Sequence, residues 1–281
     1  MYNLRYHLAS LVAVFLALAL GLVLGGLVVG QGALDAQQRA IVTGLQRDFK
    51  RLNEDNRRLS AEIALQRGFS TQMTDEWVKN RLTGKTIVVL TSGDKSEGLQ
   101  AAITSIERAG GTAAVVKLEK AGMGLSDKKI AEVATSVVGT GTDLTAAVAA
   151  SLTAEWTSPA GARPLTDALV GAGAITLTGM KASTVATQAV TIAAFSSKPD
   201  KLAMEIAKAY AAAGYYALGA QTSTSGNSVA ATAAAAKLSA FDTLGTAPGQ
   251  FTLVALFSGG QQGYYTLGNA DAPMYPPIPV P

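Results

Sequence analysis

The turn Thr91-Ser92-Gly93-Asp94 is the first place in this sequence where ligand chemistry is plausible, because it follows a buried-type strand pattern. Ligands of parallel α/β folds bind at the carboxyl ends of strands, and one glycine before a helix N-terminus suits an anion. A plain strand-to-helix turn has the same composition, and the G-x-G-x-x-G pattern of dinucleotide sites is missing. Ser92 would need a base, yet the single histidine, His7, lies near the N-terminus. An enzyme using this turn is therefore only the alternative hypothesis.

Other candidates for chemistry are weaker. The run from Ser258 to Gly263 is glycine-rich without a Walker lysine, which predicts a flexible loop. The chain has no cysteine, and the methionines at 73, 123, 180, 204 and 274 are scattered without a His/Cys cluster. The carboxylates of Asp75, Glu76 and Glu119 are better explained as helix caps and solvated faces. The sequence therefore predicts no catalytic residue, no cofactor and no metal site, and a protein that is not an enzyme.

Leu8 to Gly30 forms an uncharged apolar run near the N-terminus. As a helix it extends roughly 35 Å, enough to cross a hydrocarbon core of about 30 Å. A cleaved secretory signal is the alternative, but its apolar core is usually only about 7–15 residues long. The run therefore favours an uncleaved anchor, with residues 1–30 forming the cytoplasmic tip and the membrane segment.

Flanking charge sets the expected orientation. Arg5 precedes the apolar run and the first charge after it is Asp35, which predicts a cytoplasmic N-terminus and an extracytoplasmic remainder in a single-pass inner-membrane protein. The tip offers Tyr2, Leu4, Arg5 and Tyr6 as anchors for a cytoplasmic partner, and interfacial tyrosines are the alternative explanation. A weak signal for helix contact in the membrane comes from four glycines at small-residue spacing: Gly21, Gly25, Gly26 and Gly30.

Residues 31–68 are charge-rich and keep an apolar seam at heptad spacing. Leucines 45, 52 and 59 occupy d positions over about three to four repeats, which favours a coiled-coil stalk over a helix packed on its own domain. A buried asparagine at an a position favours a parallel dimer in register, and hetero-pairing stays open. The predicted dimer seam consists of Val42, Leu45, Phe49, Leu52, Asn56, Leu59 and Ile63.

The remaining chain predicts a short docking helix and a globular head. Gly68 is expected to interrupt the seam, Thr71 or Thr74 to cap a helix within residues 69–84, and Gly84 to end it. Residues 85–267 alternate short apolar strands with helices, which predicts a Rossmann-like or flavodoxin-like parallel sheet covered on both faces. Residues 268–281 are proline-rich and predict an extended, mobile end or a proline-type ligand.

Within the head, strands are expected at Thr86 to Thr91 and Ala113 to Leu118, the first leading into a helix capped by Asp94 and closed by Gly110-Gly111. A later helix is expected between a Ser197 cap and Gly214. Four further buried strands are predicted, at Ala174 to Thr178, Ala189 to Phe195, Tyr215 to Ala220 and Phe251 to Phe257.

The N-terminal residues Arg5, His7 and Ser10, with the run Ala13 to Ala19 and Leu24-Gly25, resemble the opening of the actinobacterial copper-transporter (MctB-like) family. The segments Gly84 to Val89 and Asp242-Thr243 to Pro248-Gly249-Gln250 are similar to that family as well. In layout the chain is most similar to a corynebacterial cell-division member, which implies a cytoplasmic SteA-like partner, a secreted RipA-type peptidoglycan endopeptidase and enrichment at the septum.

Together these observations predict an envelope interaction protein. A net charge of +3 with dispersed basic residues argues against nucleic acid as a partner. The main hypothesis is a parallel homodimer that scaffolds septal cell-wall remodelling and recruits or activates a peptidoglycan hydrolase. The alternative, implied by the family resemblance, is a component of copper efflux or of a copper channel.

Overall fold

The fold is taken from a computed structural model that describes residues 4–30, 33–92, 97–120, 124–141, 143–158, 161–179, 189–193, 200–222, 229–266 and 272–277. It is a mixed α/β protein with an apolar N-terminal helix. In the described residues the elements, in chain order, are α1 (Leu4–Gly30), α2 (Ala33–Val78), β1 (Thr86–Ser92), α3 (Glu97–Arg108), β2 (Thr112–Leu118), α4 (Lys128–Val138), α5 (Leu144–Thr157), α6 (Pro164–Gly171), β3 (Ile175–Thr178), β4 (Ala189–Ala193), α7 (Lys201–Ala212), β5 (Tyr216–Ala220), α8 (Val229–Ala235), β6 (Ser239–Phe241), α9 (Ala247–Phe257) and β7 (Tyr264–Tyr265).

The chain divides into two units, residues 1–66 and residues 67–281, of which the second is called the head below. The first unit contains α1 and most of α2. A stretch of α1 from Leu4 to Leu27 has a mean hydropathy of 2.6 and is long and apolar enough to cross a membrane. Its leucine, valine and phenylalanine side chains are exposed, as lipid-facing side chains would be.

The predicted break at Gly68 is wrong, because α2 runs without interruption from Ala33 to Val78. Glycine costs about 1 kcal/mol in a helix interior, which a long helix tolerates, and nothing crowds Gly68 on its exposed face. Thr71 and Thr74 are therefore interior residues rather than caps. The helix ends at Val78, six residues before Gly84. Two residues after that end, Asn80 takes a left-handed φ of 62°.

Among the described residues, seven strands form one sheet in the order β3-β2-β1-β4-β5-β6-β7. Neighbouring strands are parallel except β2 and β3, which pair antiparallel with Val116 opposite Leu177. The all-parallel expectation fails at this edge, because β3 enters after three consecutive helices and pairs in the reverse direction. Ala174 to Thr178 and Tyr215 to Ala220 are confirmed as strands to within one residue, and the described part of Ala189 to Phe195 is β4.

Alternate residues of β1 face two separate cores, which is why its sequence is continuously apolar. Val88 and Leu90 pack with the cluster built by α4 to α8, including Leu152 and Ile206. Ile87 and Val89, whose side chains point to the opposite face, pack with the cluster built by α3 and α9. The sheet is therefore covered by helices on both faces, as the alternating strands and helices predicted.

The predicted strand from Phe251 to Phe257 is wrong, because these residues form the second half of α9. A short run buried all round has no amphipathic period, so strand and helix look the same in sequence. The overlooked signal lies before the run: Thr246 is the N-cap, its hydroxyl accepting from Gly249 N, and Pro248 stands in the first turn.

Other boundaries also shift. The helix α7 starts after Asp200, whose carboxylate caps Leu202 and Ala203, and Gly214 follows its end as predicted. Ser197, the predicted cap, and Asp94, the predicted cap of α3, lie outside the described residues. At the other end of α3, Gly110 has a φ of 78° and Gly111 N donates to Ile106 O, which confirms the predicted glycine closure.

Candidate functional site

The described membrane-end residues lie at the start of α1. Leu4, Arg5 and Tyr6 form the first turn of α1, and Tyr2 lies outside the described residues. A Cβ added to Gly21, Gly25 or Gly26 would meet no atom within 4 Å, so that face has room for a neighbouring helix, and Gly30 is the last residue of α1.

The predicted seam residues all lie on α2. The apolar ones, Val42, Leu45, Phe49, Leu52, Leu59 and Ile63, are 47% to 64% exposed in the single chain, and Asn56 is exposed beside them. Exposed apolar stripes of this length are typical of surfaces that pack against another helix or protein. The dimer seam stays a prediction.

In the described part of the chain, the residues considered above as possible catalytic groups are not brought together into one site. Ser92 ends β1, and Gly93 and Asp94 lie outside the described residues. The glycine-rich run after α9 is held by its own hydrogen bonds: Tyr265 Oη donates to Gln261 O at 2.6 Å and Gln262 Nε2 to Gly260 O at 3.3 Å. That run is a connecting loop between α9 and β7.

A groove of about 210 Å³ opens in the head between the end of α2, the start of α9 and residues 272–277. Ser70 and Thr74 line it from α2, Pro248 and Phe251 from α9, and Tyr275 from the C-terminal segment. The lining combines aromatic and apolar side chains with the hydroxyls of Ser70, Thr74 and Tyr275, a composition typical of a groove that binds an apolar group.

Contacts between aromatic rings connect the walls of this groove. The Trp77 ring lies 4.3 Å from the Phe251 ring, and Tyr275 meets Phe251 edge-on with centroids 5.7 Å apart. The guanidinium of Arg81 lies 4.4 Å over Trp77, while its Nε donates to Trp77 O at 3.1 Å. Pro276 is buried next to Tyr275. Residues 272–277 thus contact α9 through the Tyr275 ring, and Pro273 O accepts a hydrogen bond from Thr266 N at 3.2 Å. The extended, mobile end or proline-type ligand expected for this proline-rich segment stays a prediction.

The start of α9 is fixed by a close backbone contact. Any Cβ on Gly249 would overlap the carbonyl oxygen of Thr243, so only glycine fits there. Thr246 closes the same turn, its N and Oγ1 both donating to Thr243 O. At the other end of α9, Lys85 Nζ donates to Phe257 O at 2.8 Å, and burial lowers the pKa of Lys85. These contacts at both ends of α9 fix the positions of Pro248 and Phe251 beside α2.

The head segment Asp242 to Gln250, which positions the groove, and the apolar α1 both fall inside a match to a known family. Residues 1–276 match the family described as "Copper transport outer membrane protein, MctB". The chain belongs to the MctB family. Proteins named "Copper transporter MctB" from Mycobacterium bovis and Mycobacterium tuberculosis are 32% identical over 120 residues, which cover 42% of this chain and 38% of theirs.

One solved structure that matches in part is a putative aspartate carbamoyltransferase from Leishmania major Friedlin. It is 13% identical, with 66% of this chain and 86% of that chain covered, and the TM-score is 0.17. That score lies below the level of a shared fold. The chain spans 38% of the length of the curated MctB relatives.

Copper is the metal that the family's description mentions, and soft sulfur ligands suit its Cu(I) form. Within the described residues there is no group of three or more His, Cys, Asp or Glu side chains placed to hold a metal ion. Met204 is buried in the core of this MctB family member. Met73 and Met274 are 56% and 43% exposed, and each is adjacent in sequence to a residue that lines the groove.

The sequence analysis did not predict the groove of this MctB member. The exposed apolar side chains indicate its position in the head. In the described head, large exposed apolar side chains are Phe69, Met73, Val137, Val170, Met274 and Tyr275. Four of these six line the groove or neighbour a lining residue in sequence, so the exposed apolar side chains of the described head are concentrated around the groove.

Proposed function

We propose that this protein is a single-pass envelope protein of copper transport, with a cytoplasmic N-terminus and an extracytoplasmic head. The family match over residues 1–276 is the observation that carries the proposal. The charge pattern of the apolar α1, with Arg5 in its first turn and Asp35 as the first charge after its end, supports the orientation. The relatives named as copper transporters support export of copper as the activity.

The protein works, in this proposal, as a parallel homodimer joined along α2. The six exposed apolar seam residues support it, because burying them between two helices removes them from water, at about 25 cal/mol per Å². Asn56 within the seam favours a two-stranded, in-register pair. Two anchors inserted in one membrane require the same parallel arrangement.

The head is, in the same proposal, a doubly wound domain of the Rossmann or flavodoxin kind that binds proteins rather than a nucleotide. Its strand order and its two cores, one on each face of the sheet, support this architecture. The groove beside α9 supports a role in protein contact.

Copper accumulation in a deletion strain tests the activity. We expect the strain to retain more copper than the parent and to recover when the wild-type chain is supplied. Leu52→Asp, which places a charge in the seam, should not restore export, whereas Leu65→Asp on the solvent side of the same helix should. Unchanged copper content and tolerance in the deletion strain would overturn the copper proposal.

The mass of the detergent-solubilised full chain tests the dimer separately. The wild type should sediment as a dimer and Leu52→Asp as a monomer. Asn56→Ile should stabilise the stalk while admitting trimers or tetramers, because the polar pair that excludes them is gone. A wild-type monomer at micromolar concentration contradicts the dimer.

Septal cell-wall remodelling is the second candidate function, favoured by the exposed stripe of α2 and the groove, which are both protein-binding features. In this version a RipA-type endopeptidase binds the exported part and a SteA-like protein binds the tip. Co-purification with a peptidoglycan hydrolase supports it, and a normal septum in the deletion strain counts against it.

Replacing Tyr2 and Tyr6 by serine with Arg5 kept tests the cytoplasmic tip. The double substitution should preserve membrane insertion and abolish binding of the cytoplasmic partner; retained binding refutes the anchor role.

A further inference from the structure

The groove between the end of α2, the start of α9 and residues 272–277 has an uncharged lining. None of the residues that line it in the described head is charged. Neither α9 nor the segment 272–277 contains a charged residue. Its volume of about 210 Å³ is below the roughly 300–1,000 Å³ of small-molecule sites, so the groove suits one or two side chains of a partner better than a cofactor.

Two exposed arginines flank the groove along α2 and the turn after it. Arg67 lies about two turns before the groove residue Thr74 and on the same face of the helix. On the other side, the guanidinium of Arg81 lies 4.4 Å from the centroid of the Trp77 ring. That ring contacts the groove residue Phe251, with centroids 4.3 Å apart. The uncharged groove therefore has a cation near each of its two ends.

The chain does not neutralise these two cations in its described part. Neither Arg67 nor Arg81 forms an ion pair with an acidic side chain there. Of the two carboxylates in the last turns of α2, Asp75 is paired with Arg108 at 2.9 Å. Glu76 lies on the opposite face of the helix from the groove residues. The surroundings of the groove are therefore complementary to negative charge.

The separation of the arginines sets the length of a matching partner. Arg67 and Arg81 are fourteen residues apart, roughly 21 Å along a helix at about 1.5 Å per residue. An extended peptide advances about 3.1–3.4 Å per residue, so about six or seven of its residues span this separation. A peptide with a carboxylate at each end of such a span and an apolar residue between them matches the cations and the groove at once.

We propose that the groove binds an extended acidic peptide of another protein, with an apolar side chain in the groove and flanking carboxylates on Arg67 and Arg81. This inference rests on the protein contact proposed for the head and names the chemistry of its partner. Burial of the apolar side chain provides the affinity. The two charge contacts fix the position of the peptide along the groove and speed its association.

A synthetic peptide tests the binding. The probe is the fluorescein-labelled peptide Glu-Glu-Gly-Pro-Leu-Pro-Gly-Glu-Glu, and its anisotropy is measured with the full chain in nanodiscs of zwitterionic phosphatidylcholine. We expect a control peptide with lysine in place of every glutamate, and another with glycine in place of leucine, each to bind at least about tenfold more weakly. Equal binding of the three peptides, or no binding of the probe, would overturn the proposal.

The arginine contact is tested by charge reversal. Arg67→Glu should weaken binding of the probe by about tenfold, because it replaces an attraction with a repulsion. The matched control is Lys129→Glu, which makes the same change of charge on α4, a helix on the opposite face of the sheet from α9. It should change the affinity by less than about twofold. Equal losses for the two variants would mean that the overall charge, and not the groove, attracts the peptide.

A bulky side chain in the groove gives a third measurement. Ser70→Trp should fill the groove and abolish binding, whereas Gln72→Trp, on the opposite face of the same helix, should bind like the wild type. Thermal unfolding checks that both variants keep the fold. Wild-type affinity in a folded Ser70→Trp chain would overturn the groove as the binding site.

Anionic lipid is the competing ligand of the same charge. Displacement of the probe by phosphatidylglycerol vesicles as effectively as by unlabelled peptide would assign the two arginines to a membrane surface and overturn the peptide proposal. Copper accumulation and the mass of the dimer are measured without the peptide. Failure of the peptide experiments alone would therefore leave the proposed export and the proposed dimer standing.

Discussion

The ring of Tyr275 meets the ring of Phe251 edge-on, with centroids 5.7 Å apart and planes at 83°. The contact joins the C-terminal segment to α9, more than twenty residues earlier in the chain. Edge-to-face pairs contribute about 0.5–1.5 kcal/mol beyond the area they bury. This single contact helps to make one wall of the groove from a segment that the sequence marked only as proline-rich.

Removing the Tyr275 ring should loosen that wall. We expect Tyr275→Ala to lower the free energy of unfolding by about 1 kcal/mol and to expose residues 272–277 to proteolysis. Thermal unfolding and limited proteolysis of the full chain measure the two effects. Tyr275→Phe keeps the ring and should resemble the wild type; a loss as large as that of the alanine variant would contradict the ring contact as the cause.

Gly249→Ala should destabilise the head strongly, because the added methyl group overlaps the Thr243 carbonyl at the start of α9. The expected loss is about 3 kcal/mol, typical of overpacking against backbone. Gly68→Ala is the matched control in an exposed helix, where no atom is within 4 Å, and it should stabilise by about 1 kcal/mol. Thermal unfolding distinguishes them. Equal shifts in one direction would show that helix propensity, not the close contact, governs both sites.

We expect the Glu155 carboxylate to cap the start of α6, in place of the side chain of the helix's own N-cap residue. Its carboxylate accepts from Leu165 N at 2.7 Å, Thr166 N at 2.9 Å and Thr166 Oγ1 at 2.7 Å. Glu155→Ala leaves these donors without their acceptor, and we expect a loss of about 2 kcal/mol in chemical denaturation.

The control for Glu155 is Glu132→Ala on α4, where an exposed ion pair with Lys128 spans 3.9 Å and is worth about 0.5 kcal/mol or less. A similar small effect at Glu155 would mean that water replaces the carboxylate at the start of α6.

Acid stability should depend on Glu119. The hydrogen bond from Thr176, followed by that from Lys117, lowers the pKa of Glu119 below 4.5. A carboxylate with a depressed pKa stabilises the fold above its unfolded pKa, and this stabilisation is lost as pH falls through the folded pKa. We therefore expect the unfolding temperature of the wild type to fall more between pH 6 and pH 3 than that of Glu119→Gln.

Thr176→Val provides the check on the cause of the Glu119 shift. It removes the hydrogen bond that lowers the pKa of Glu119 most and leaves the ion pair with Lys117 at 3.0 Å. The acid dependence of its stability should therefore lie between those of the wild type and Glu119→Gln. Identical pH profiles for all three chains would contradict the assignment.

The sequence alone was enough for features that depend on local composition. The uncharged run of α1, the β-branched run of β1 and the glycine closure at Gly110-Gly111 each carry their physical cause within a few residues. The alternation of apolar strands with helices likewise predicted a mixed α/β head with helices on both faces of a sheet. The resemblance of the N-terminal residues to the MctB family was confirmed over residues 1–276.

Tertiary structure decided what depends on contacts between distant residues. Phe251 to Phe257 has no period because α9 is buried on all sides, so only its packing against the sheet shows that it is a helix. The antiparallel direction of β3 depends on where α4, α5 and α6, the helices that precede it, return the chain to the sheet. The groove joins Ser70 on α2 with Phe251 and Tyr275, residues far apart in sequence whose types alone indicate nothing. Local propensity fixes individual elements, whereas a docking surface exists only once packing has brought its parts together.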